Sequence, residues 1–178
     1  MEVIIDTASI QDMAKTYDGA GPMIKRELTR ELTRLAIEVR NEAVTLAPVD
    51  TGRLRSSIAY ELAPQGQDLI ARIGTNVQYA KSVEFGTGLL SEAPDSKGGR
   101  HWPPPDALNG WALRHGFSVE SGGSTVALGQ IVAEIIGKRG GLRPKPYLRP
   151  AFNKVKPKVS DAMERARLRI FMKLAESK

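Results

Sequence analysis

One apolar stripe constrains this chain more than any other feature. Ile24, Leu28, Leu32, Leu35, Val39, Ala43 and Leu46 follow one another at spacings of four, four, three, four, four and three. That rhythm returns side chains to one face of an α-helix and to no face of a strand. It predicts one long amphipathic helix over about 23–46. Lys25, Arg26, Glu27, Arg30, Glu31, Arg34, Glu38, Arg40 and Glu42 lie between the stripe positions. Opposite charges one turn apart read as a surface laced by pairs within the helix. Pro48 helps to end it, because the residue before a proline avoids helical torsions.

The rest of the chain must cover that stripe. Val3, Ile4 and Ile5 suit a short first strand, and Gly19, Gly21 and Pro22 then punctuate the chain. SIAYEL (57–62) and DLIARI (68–73) read as strands, joined through Pro64 and Gly66 as a hairpin. Residues 77–85 suit either a short strand or a helical turn. Residues 86–106 form a long Gly/Pro loop, with Gly86, Gly88, Gly98, Gly99, Pro94 and the run Pro103–Pro105. Loops of that length are functional or disordered, so it is expected to be mobile until a partner orders it. Asp106 is placed to cap a short helix that carries Leu108, Trp111 and Ala112 inward and stops at Gly116. A linker at 121–123 precedes a helix capped by Ser124 or Thr125, with Val126 or Leu128, Ile131 or Val132, and Ile135 on its stripe. Pro144, Pro146 and Pro150 argue for an extended segment over 142–152, an edge strand at Pro146, Leu148 and Pro150. A last helix is expected over about 153–174. Segregated strands and helices give an α+β class: a small antiparallel sheet packed against the long N-terminal helix, two short helices and a C-terminal helix. The 178 residues fit a single domain, with its core at about 23–156.

Composition excludes several chemistries. There are no cysteines, hence no disulfide framework, no zinc–thiolate site and no cysteine nucleophile. Of the two histidines, His101 lies in the Gly/Pro loop and His115 ends a short helix. No G-x-S-x-G elbow, no phosphate-cradling glycine loop and no metal-ligand spacing accompanies them. No catalytic, cofactor or metal residue is assigned. No signal-like N-terminus and no membrane-length apolar run is seen, so the expected location is the cytoplasm of the producing cell. The formal charge is +6, concentrated late: residues 153–178 hold eight basic and three acidic residues. Such a segment is a solvated helix face or a contact for phosphate or acidic protein. No zinc finger, basic zipper or single-strand reader is present, so base readout is not indicated.

Four pieces, in order, carry a resemblance. The long helix runs into APVDTGRLRSSI (47–58). The hairpin leads into GTNVQYAKSVEFGTG (74–88). Then come LNGWALRHG (108–116) and PKPYLRPAFNKV (144–155). Together they resemble the tail-completion (head–tail joining) proteins of long-tailed bacteriophages, small components of the neck. Tyr147 stands where that family more often has phenylalanine, and the basic stretch after the last box is longer than its pattern.

The resemblance implies a structural virion protein, not an enzyme, at the neck or tail junction, assembled in the host cytoplasm. Its implied partners are copies of itself in a ring, a hexamer by analogy with sixfold tails, and other neck and tail proteins such as a connector or stopper, a tail terminator or the tail tube. Non-specific contact with packaged double-stranded DNA is a further implied partner; a membrane is not. A nucleic-acid-binding accessory protein is the alternative. The interface candidates are Arg53, Arg55, Glu84, Phe85, Trp102, Arg143 and Arg149. Glu84 and Phe85 serve equally as a core strand end. Pro48, Asp50, Thr51 and Gly52 are expected to build the corner between helix and sheet. In it Asp50 and Thr51 accept backbone N–H bonds and Gly52 supplies torsional freedom.

Overall fold

A computed structural model describes residues 2–4, 21–65, 68–118 and 125–176. The class is α+β, and the chain is shared between two compact units. The first takes Met1–Ala47, Leu54–Asn76 and Tyr147–Lys178; the second takes Pro48–Arg53 and Val77–Pro146.

The first unit is organised by α1, Gly21–Leu46. Ile24, Leu28, Leu32, Leu35, Val39 and Ala43 are buried, as the stripe requires; only its last member, Leu46, is exposed. A three-stranded antiparallel sheet follows in the order β1–β3–β2, with β1 at Glu2–Ile4, β2 at Ala59–Gln65 and β3 at Asp68–Gly74. The hairpin registers Tyr60 on Ile73, Leu62 on Ala71 and Pro64 on Leu69. Pro64 therefore sits inside a strand and not in the turn. It can, because β2 is an edge strand and a proline there costs no ladder bond. The central strand buries Ile70, Ala71 and Ile73, and α1 lies against β2 and β3. Ile5 and Gly19, Gly66 of the turn, the 121–123 linker and the Ser124 cap lie outside the described residues.

Three expectations for the first unit are corrected. The chain at Arg53–Ser57 forms one short helix, α2, before the strand begins at Ala59. Its Ser57 hydroxyl donates back to the Leu54 carbonyl at 2.9 Å. The PYLRPAF segment is a helix too: α6 spans Leu148–Val155. Pro150 is its third residue, and a proline in the first turn loses no intrahelical bond. The true break is Pro157, inside a 3₁₀ turn at Lys156–Lys158. It splits the expected single C-terminal helix into α6 and α7, the latter at Val159–Glu176. Ala166, Ile170 and Leu174 of α7 pack on Ile24 and Leu28 of α1.

The second unit contains α3 (Ala80–Phe85), a 3₁₀ turn at Gly88–Leu90, α4 (Pro105–Arg114) and α5 (Thr125–Lys138). The open question at 77–85 resolves as a turn leading into helix at Ala80–Phe85. Helix α4 starts from Pro104 with Pro105 in its first turn, and no side chain caps it. Asp106 is thus a first-turn acid, favourable to the helix dipole without being the cap. Its core joins Ala112 to Leu128, Val132 and Ile136 of α5, with Leu108 and Trp111 against them. Of the stripe alternatives Leu128 and Val132 are buried and Ile131 is exposed; Ile135, expected inward, also stands exposed, and Ile136 takes the core position.

Candidate assembly surface

The corner at 48–55 is built by long-range partners as well as by turn chemistry. Gly52 has φ +80°, a left-handed torsion that other residues adopt only with strain. Thr51 accepts the Arg53 N–H at 3.5 Å, a weak turn bond. Asp50 is not a cap. Its carboxylate takes the guanidinium of Arg114 in a bidentate pair, Nε to Oδ1 at 2.9 Å and a second, shorter bond from the terminal nitrogen to Oδ2. The fork geometry of arginine suits a carboxylate in this way. The Arg114 guanidinium holds Asp50 below the usual aspartate range. His115 completes the group: its Nδ1 lies 3.9 Å from Asp50, and its ring stacks on Trp111 at 4.3 Å. Two pieces of sequence that looked like separate signatures, VDTG and WALRHG, are one cluster.

Arg55 was a candidate for a partner contact. Its Nε donates to the Ala47 carbonyl at 2.8 Å, and a terminal nitrogen reaches the Thr45 carbonyl at 3.4 Å. These carbonyls lie at the C-terminal end of α1, where orphan acceptors and the helix dipole both favour a cation. Arg55 closes a helix.

The Gly/Pro loop is tied down along much of its length. Thr87 N–H donates to Leu142 O at 2.9 Å, Leu142 N–H returns to the Thr87 hydroxyl at 3.0 Å, and Leu89 N–H donates to Gly140 O at 2.8 Å. The approach is so close that a Cβ on Gly88 would lie 2.1 Å from Gly140 O. Farther along, the Trp102 indole lies on Gly137 of α5: a Cβ there would be 2.3 Å from the ring. Leu89 flanks Gly140 in the same way. Yet Trp102 is 54% exposed and Leu89 60%. Trp102 and Leu89 are thus braced from beneath, by Gly137 of α5 and by Gly140 just past its end, and open above.

The other candidates divide. Arg53 and Arg143 are exposed; Phe85 and Arg149 are half-buried. Glu84 is buried on α3, so its carboxylate faces the interior and not a partner. Leu89 was missed by sequence reasoning, since the pair Leu89-Leu90 in a Gly/Pro loop carries no periodic signal.

The strongest charge feature was also missed. Glu27 and Glu31 of α1 are only 2% and 3% exposed. Arg169 bridges them, its Nε 3.1 Å from Glu27. Lys173 also binds Glu27, and Arg165 reaches Glu31 at 3.5 Å. Farther along α1, Lys158 meets Glu38 and Lys154 meets Glu42 at 2.8 Å. As numbers rise on α1 they fall on its partner, the mark of an antiparallel ladder. The hydrogen bond from Lys173 leads the effects that keep Glu27 below the usual glutamate range, against the opposing cost of burial. The acids of α1 therefore take their counter-ions from α6, the 3₁₀ turn and α7. Within α1, Arg34 lies 3.7 Å from Glu31.

Among the described residues no group of His, Cys, Asp and Glu is arranged to hold a metal ion, and no helix is long and apolar enough to cross a membrane. Residues 11–86 match a protein-family model, HK97-gp10_like, described as "Bacteriophage HK97-gp10, putative tail-component". The matched stretch runs through α1, the corner, the hairpin and α3. Over that stretch the chain is similar to a phage tail component, and the match supports the resemblance read from the sequence. No curated protein and no solved structure matches the chain.

Proposed function

We propose that the chain is a tail-completion component of the phage neck, joining head to tail as a ring of identical copies. Its other contacts are with neighbouring neck and tail proteins around the DNA path. The role is structural, exercised in the virion after assembly in the host cytoplasm. A ring needs a head-to-tail contact in which two different patches meet. The observation that carries this reading is the braced pair Trp102 and Leu89. An exposed tryptophan held rigid by its own scaffold loses little side-chain freedom on docking, and tryptophan is enriched among residues that dominate interfaces. Arg53 and Arg143, both exposed, are proposed to lie on the rim of such contacts. A hexamer remains the proposed stoichiometry.

Complementation of a phage lacking this protein tests the reading. Trp102→Ala should leave circular dichroism near wild type and weaken association by about 30-fold, the equivalent of a hot-spot loss of roughly 2 kcal/mol. Unjoined heads and tails should accumulate. Gly137→Ala is the companion variant, keeping the indole but displacing it from its seat. An unchanged infectious titre with both variants would sink the proposal.

A further inference from the structure

We infer that the outward face of α1 is a docking strip for the phosphate backbone of duplex DNA, made by Arg26, Arg30 and Arg34. The inference stands on the charge of α1 alone and holds or fails apart from the ring.

The α1 helix carries four glutamates, and all four are occupied by cations from outside it: Glu27 by Lys173 and Arg169, Glu31 by Arg169 and Arg165, Glu38 by Lys158, Glu42 by Lys154. Its own arginines are thereby relieved of that duty. Arg26, Arg30 and Arg34 recur every four residues, about 6 Å apart along the axis, on the side opposite the buried stripe. All three are exposed. Among the described residues Arg26 and Arg30 meet no carboxylate, and Arg34 has only the 3.7 Å approach to Glu31, with its side chain 61% exposed.

The composition of the strip selects the partner. Thr29 and Thr33 lie between the arginines, and their hydroxyls donate inward to Lys25 O at 2.7 Å and Thr29 O at 2.6 Å. Exposed apolar surface enters this face only at Ile37. A protein interface wants an apolar or aromatic centre, and a membrane-surface helix wants an apolar face. Phosphates in series need only guanidinium forks at intervals, which this strip offers. The basic C-terminal helix, the obvious candidate from sequence, has already placed Arg165, Arg169 and Lys173 on α1.

Fluorescence anisotropy of a labelled random-sequence duplex, titrated with the full chain across a salt series, tests this. Three phosphate contacts contribute about −2.7 to the log–log salt slope, so their share of affinity falls about 40-fold between 50 and 200 mM salt. The triple variant R26A/R30A/R34A should lose that share of the slope. A control with the same charge change elsewhere, K97A/R100A/R139A, should keep it. Poly-glutamate at equal charge should displace the duplex poorly. Three results overturn the inference: equal losses in both triple variants, no binding at low salt, or ready displacement by poly-glutamate, which would point to an acidic protein partner. Unchanged melting of the R26A/R30A/R34A variant confirms that its fold is intact.

Discussion

Asp50 shows how much one side chain can hide in a sequence. In VDTG it reads as turn chemistry, and the turn is real, because Gly52 does adopt a left-handed torsion. Its carboxylate, however, is spent on Arg114, 64 residues away. Nothing local announces that partner. Since Arg114 lowers the Asp50 pKa in the folded state, the pair stabilises the fold above the usual aspartate value of 3.8 and ceases to do so as pH falls through the folded value. The expected outcome is that Asp50→Asn lowers Tm slightly at neutral pH. The gap to wild type should close in acid. Melting curves from pH 7 to pH 2 check it; a gap that widens toward acid contradicts the assignment. Arg55 teaches the same lesson at shorter range: it is a surface cation by composition and a helix-closing donor by geometry.

Among elements, α1 was legible because its cause is local. Periodicity needs no knowledge of what covers it, and the stripe is the core. The hairpin was legible for the same reason. The α6 helix was not, because three prolines outweighed the rule that a first-turn proline is harmless; Pro157, the actual interruption, drew no notice. The ladder between α1 and α7 was illegible for a deeper reason. Glu27 and Glu31 have arginines one turn away, and choosing the remote Arg169 over the near Arg30 depends on which face the core occupies. Within that ladder Arg169 is the bridge. Arg169→Ala should cost about 3 kcal/mol, near the lower end for breaking a buried pair, because Lys173 and Arg165 still attend the two acids. Chemical denaturation at pH 7 measures it. Glu27 adds a pH signature. Its lowered pKa means that its contribution is present above the usual value of 4.5 and is lost as pH falls through the folded one. The Arg169→Ala penalty should therefore shrink in acid.

For the molecule as a whole, the basic C-terminal stretch is part of the first unit's core, whatever else it touches. Ala162, Ala166, Ile170 and Leu174 of α7 are buried, and the last two alone represent roughly 3–6 kcal/mol of transfer free energy at 1.5–3 kcal/mol each. Natural domains have about 5–15 kcal/mol in total. Removing α7 also leaves Glu27 and Glu31 without Lys173, Arg169 and Arg165, and an unpaired buried carboxylate is a further penalty. A chain ending at Lys158 should therefore fail to melt cooperatively through its first unit, even though it retains every piece of the family-like pattern. The second unit has its own core at Ala112, Leu128, Val132 and Ile136, so residual helix should survive. Adding a synthetic 159–176 peptide should restore a transition at sufficient concentration, because α7 contributes only as a docked helix. Circular dichroism melts of the truncated chain, with and without the peptide, read both effects. A truncated chain that melts like the full one would overturn the placing of Ala162, Ala166, Ile170 and Leu174 in the stabilising core.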